Sequence, residues 1–84
     1  MVLEKTHRLV LHNDSENSYL YVMACLVKVC DHDSVRAEQC ALITHNVGKC
    51  QIMSGSFLNM FDVKQSLQEL SLKVELEDYV SGMY

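Results

Sequence analysis

The chain has 84 residues, a net charge of −4, 49% apolar and 21% charged residues, which describes one folded domain with a thin core and argues against disorder. The acidic balance sets nucleic acid aside as an expected partner, since phosphate neutralisation needs a basic face. No apolar run reaches the roughly 18 residues of a membrane span, and Glu4, Lys5 and His7 stand where a signal peptide would be apolar, so the expected location is the cytoplasm.

Met1 to Lys5 shows no pattern. Thr6 to His12 reads as a strand, with Leu9 and Leu11 on one face and Val10 on the other. The strand closes on Asn13 and Asp14, residues that favour turns and caps. An amide and a carboxylate at a strand end can sit at a mouth between elements, and they serve equally to stop a strand and start a helix. Asn17 suits an N-cap.

From Ser18 to Cys30, Tyr19, Val22, Met23, Leu26, Val29 and Cys30 recur at helical spacing and define one buried face. Asp31-His32-Asp33 interrupts it, and Asp33 or Ser34 can cap a second helix running to about Asn46. That helix carries two apolar stripes. Ala37, Cys40, Ala41 and Thr44 form a small-residue face, and Val35, Leu42 and Ile43 form another. The pattern predicts a helix covered on two sides, wedged between a helix and the sheet. Gly48 suits its C′ position, and His45 falls in the last turn, where the helix dipole favours a cation.

Lys49 to Ser54 reads as a second strand, Gly55-Ser56 as a turn, and Asn59 as the cap of a third helix with Met60, Val63, Leu67 and Leu70 buried. Leu72 to Glu77 alternates strictly, as a half-buried strand does. Asp78 to Tyr84 has no clear pattern. The order β-α-α-β-α-β predicts an α+β two-layer sandwich, a three-stranded antiparallel sheet with three helices on one face. A single domain is expected over residues 1–84, with its ordered core at about 6–77.

Cys25, Cys30, Cys40 and Cys50 are separated by five, ten and ten residues, which is neither metal-ribbon nor redox spacing. They read as free thiols acting as small hydrophobes, in keeping with a reducing compartment; no metal or cofactor is expected. Enzymatic readings fare poorly. Ser15 adjoins Asp14 with no nucleophile elbow around it, and Cys40 and His45, five apart on one helix, point to different sides.

Leu9-Val10-Leu11-His12-Asn13-Asp14 before a helix, Arg36-Ala37-Glu38-Gln39-Cys40, Thr44-His45-Asn46-Val47-Gly48-Lys49 and the closing Leu72-Lys73-Val74-Glu75-Leu76-Glu77 together resemble the ClpS family, adaptors of the Clp protease. The likeness runs from Arg8 to Glu77, and the family fold has the same element order. It implies a binding module that takes N-degrons, free N-termini bearing Phe, Tyr, Trp or Leu, and hands such substrates to a Clp AAA+ chaperone. The alternative is a diverged ClpS-like domain that docks on a chaperone or another protein without reading a degron.

By that resemblance Asn13 and a neutral imidazole nitrogen of His45 accept from the peptide's α-ammonium, and Asp14 adds negative potential. Tyr19, Val22, Ala41, Thr44 and Leu72 correspond to the walls of the side-chain pocket. Tyr19 and Ala41 stand where the family usually has methionine. Ser15 replaces an acid that helps hold the ammonium, and Asn17 replaces a threonine. Lys64 corresponds to a lysine of the chaperone-docking surface if one residue is inserted. Only a short segment precedes Thr6, where the family carries a long N-terminal extension used in delivery.

Overall fold

The first strand, β1 (Lys5–His12), is the centre of the sheet, between β2 (Lys49–Gly55) and β3 (Lys73–Val80), and both pairings are antiparallel. The structure, a computed structural model, describes residues 5–80 and the side chains of residues 6–78; the patternless readings over residues 1–4 and 81–84 lie outside the described residues. β3 does not stop at Glu77. It runs on to Val80, because Asp78, Tyr79 and Val80 pair with His7, Thr6 and Lys5.

Alternation sorts the two faces of β1. Leu9 and Leu11 are fully buried beneath the helices with Ile52 and Val74. The opposite face carries Val10 between charged cross-strand pairs, Arg8 with Glu77 at 2.9 Å and His12 Nε2 with Glu75 at 2.7 Å. Such pairs on a half-solvated sheet each contribute at most about 1 kcal/mol. Leu9 pairs with Met53 but Val10 with Gln51, so Ile52 is an extra residue in β2. This bulge accompanies a bond in which the buried His32 presents Nε2 to the Ile52 carbonyl at 3.0 Å.

Three helices complete the order: α1 (Tyr19–Cys30), α2 (Ser34–Val47) and α3 (Phe57–Glu69). Their caps correct two expectations. The N-cap of α1 is Ser18, whose Oγ accepts from Tyr21 N at 3.1 Å, and not Asn17. The physical reason is that the Asp14 carboxylate takes the amides of Glu16 and Asn17, which draws Asn17 into the loop. Likewise α3 is capped by Ser56, whose Oγ accepts from the amide of Asn59, the residue expected as the cap. Asp33 caps α2 as read.

The predicted second buried stripe of α2 is also corrected. Ala37, Cys40, Ala41 and Thr44 are buried, whereas Val35 is 63%, Leu42 43% and Ile43 45% exposed. Small side chains let α1 and β2 approach α2, and among the described residues its other face stays exposed. The core joins this face to Leu26, Met60, Leu67 and Leu72. The cysteines are free, three of them buried. Burial, reinforced by Cys40, pushes the Cys30 thiol up to about 11, so it packs as a neutral apolar group.

Candidate functional site

The end of β1 and the end of α2 are tied together by backbone. Gly48 closes α2 with φ 110°, a left-handed conformation open to glycine, and its carbonyl accepts from Asn13 N at 2.9 Å. This bond sets Asn13 beside the last helical turn, which carries His45. His45 is exposed, and among the described residues neither of its ring nitrogens has a protein partner.

Asp14 organises the loop that follows. Its Oδ1 accepts from Glu16 N and Asn17 N, both at 2.8 Å, and its Oδ2 accepts from Asn17 Nδ2 at 3.0 Å. Burial pushes the carboxyl up, but the bonds from Asn17 and Glu16, with the charge of Lys73, outweigh it and hold the group below its ordinary 3.8. Three of roughly four acceptor positions on a carboxylate are therefore engaged internally, and the charge persists. The sign of the linkage follows: a depressed folded value gives stability that is present above 3.8 and lost as pH falls further. Asp14→Asn is expected to flatten the acid limb of a melting-temperature-versus-pH curve below about pH 4. An unchanged acid limb in that variant would remove Asp14 from the account.

Leu11, Tyr19, Val22, Ala41 and Leu72 meet Asn13, Asp14, Asn17, Thr44 and His45 around a small cavity of about 30 Å³, with His12 completing the lining. The buried members, Leu11, Ala41, Thr44 and Leu72, form its floor, and the exposed Asn13 and His45 stand at its mouth. Thr44 Oγ1 donates to Cys40 O at 2.8 Å, which satisfies the hydroxyl within α2. The Tyr19 hydroxyl faces Glu38 on α2; burial and that carboxylate raise its pKa, so the phenol stays neutral. Tyr19 and Ala41 both line the cavity, which is small.

All eight residues singled out for ammonium and side-chain binding thus border one cavity. Ser15 is exposed and does not line it, and Lys64 lies apart on α3. Leu11 went unremarked as a lining residue, although its place two before Asn13 on a strand puts both on one face. The carbonyl of Gly48 leaves no trace in side-chain identity.

A small cavity with apolar side chains on one side and convergent polar groups on the other suits a binding module for a small ligand or a peptide end. The fold and this cavity define the class as a small α+β binding domain. The chain belongs to the ClpS family: the family model described as ATP-dependent Clp protease adaptor protein ClpS matches residues 3–75. It is similar to the solved structure of Agrobacterium tumefaciens ClpS2 bound to L-phenylalaninamide, with a TM-score of 0.75 and 15% identity, over 89% of this chain and 98% of that one. At that identity the likeness establishes the fold. No curated protein sequence matches the chain. Among the described residues no helix is long and apolar enough to cross a membrane.

Proposed function

We propose that this chain is an N-degron adaptor that binds free N-termini with a bulky apolar first residue and delivers their bearers to a Clp AAA+ chaperone. The observation that carries the reading is the single cavity shared by Asn13, Asp14, His45 and an apolar floor. L-phenylalaninamide, the ligand of the ClpS2 neighbour, combines the two features such a cavity takes: a free ammonium and one large apolar side chain.

The roles follow from chemistry. Asn13 Oδ1 and a lone pair of neutral His45 accept from the ammonium, and ionised Asp14 supplies the field that favours the cation. Each charge-assisted bond contributes roughly 1.5–3 kcal/mol, and burial of the first side chain about as much again. Against an association cost of at least about 4 kcal/mol, tens-of-micromolar affinity, near 6 kcal/mol, needs every one of these contacts and some peptide backbone as well. Delivery rests on the family's adaptor role, with Lys64 on α3 as a docking contact. Free thiols suit action in the cytoplasm.

Fluorescence-polarisation titration with Phe-, Leu- and acetyl-Phe-initiated peptides tests the reading. Binding of the first two and loss of the third is expected. Equal signals for free and acetylated peptides would leave only a ClpS-like docking domain, identified by capture of a chaperone's N-domain.

A further inference from the structure

Asn17 lines the cavity, and its side chain bridges two of the segments around it. One of its side-chain bonds goes to Asp14 on the ammonium side, Nδ2 to Oδ2 at 3.0 Å, and the other crosses to the α3–β3 connection, Nδ2 to Ser71 O at 2.8 Å. Ser71 is a non-glycine residue at φ 69°, a left-handed conformation that costs an L-residue free energy and needs support from its surroundings. In that conformation the Leu72 amide returns to Leu67 O at 3.1 Å, and the next side chain, Leu72, is directed into the cavity floor. A loop residue that sets the carboxylate therefore also holds the turn that places the apolar wall.

We propose that Asn17 is a positioning residue that fixes the ammonium-binding loop to the side-chain wall, so that the free amine and the first side chain are recognised as a unit. The inference rests on the degron reading above and adds a determinant of its selectivity. Asn17 need not touch the peptide. An amide suits the position because its two N–H donors serve two acceptors at once, whereas a single hydroxyl donor serves one. Without Asn17, Asp14 Oδ2 and Ser71 O lose their donor together.

Two ratios read on each protein decide the matter: the affinity of a Phe-initiated peptide over its acetylated form, and over the Gly-initiated peptide of otherwise identical sequence. In Asn17→Ala both ratios are expected to fall at least tenfold. Asn17→Ser, which keeps one donor on a shorter side chain, is expected to lose several-fold in both and decides the question should the alanine variant not fold. Tyr21→Phe removes the neighbouring bond from Tyr21 Oη to Leu70 O without touching Asp14, and its free-over-acetylated ratio is expected to stay within about twofold of wild type. Unchanged ratios in Asn17→Ala, even with a lowered melting temperature, would reduce the residue to a loop brace and overturn the proposal. Loss of one ratio alone would overturn the coupling. A wild-type protein that ignores acetylation fails the degron reading itself, an outcome separate from these.

Discussion

His45→Ala is expected to weaken binding of a Phe-initiated peptide by about 100-fold and to erase most of the distinction between free and acetylated N-termini. The magnitude is that of a charge-assisted hydrogen bond, roughly 1.5–3 kcal/mol, or about 10- to 150-fold. The effect is concentrated in His45 because Asp14 has little acceptor capacity left. Three bonds from Glu16 and Asn17 occupy its oxygens, so the ammonium depends on Asn13 and His45 for direct acceptors. Since His45 is exposed and outside the core, the variant should melt as wild type does, and the loss should appear in the titration alone. A peptide affinity unaffected by His45→Ala would show that the cavity takes something other than an amino terminus.

The order of elements was legible because each announces itself by period. Leu9 and Leu11 alternate around Val10, and Val22, Leu26 and Val29 recur at helical spacing. Gly48 marks the end of α2. The caps were displaced by side-chain competition that a linear reading does not weigh: Asp14 captures the amides that would otherwise make Asn17 a cap, and Ser56 precedes Asn59 at the start of α3. The exposed stripe of α2 was misread because periodicity says which residues share a face, and not how many neighbours are available to cover it. Val35, Leu42 and Ile43 have the spacing of a buried stripe and are exposed among the described residues. Asn13 is legible as a strand end and His45 as a last-turn residue, but only a resemblance joins the two, since 32 positions separate them. What brings them together is the bond from Asn13 N to Gly48 O, which is backbone chemistry. The pairing of Asn17 with Ser71 O, 54 residues away, was not legible for the same reason.

Leu26→Ala is expected to be among the most damaging single truncations and to lower stability by about 2–5 kcal/mol. Leu26 is 0% exposed and lies in α1 among the residues that join α2 and α3 to the sheet. In a core this thin the remaining side chains have little freedom to close the cavity left behind. At about 4–8 °C per kcal/mol for a domain of this size, the melting temperature should fall by about 8–40 °C, measured by circular dichroism. Leu20→Ala on the same helix is the control: 72% exposed, it should change stability by no more than about 0.5 kcal/mol. Equal losses in the two variants would mean that burial in α1 does not set the stability. The consequence reaches the site because α1 also carries Tyr19 and Val22 into the cavity. Held at a temperature where it remains folded, Leu26→Ala should therefore bind a Phe-initiated peptide more weakly than wild type while still rejecting the acetylated form. Its acceptors stand just after β1 and on α2, and the wall that α1 supplies is what has loosened.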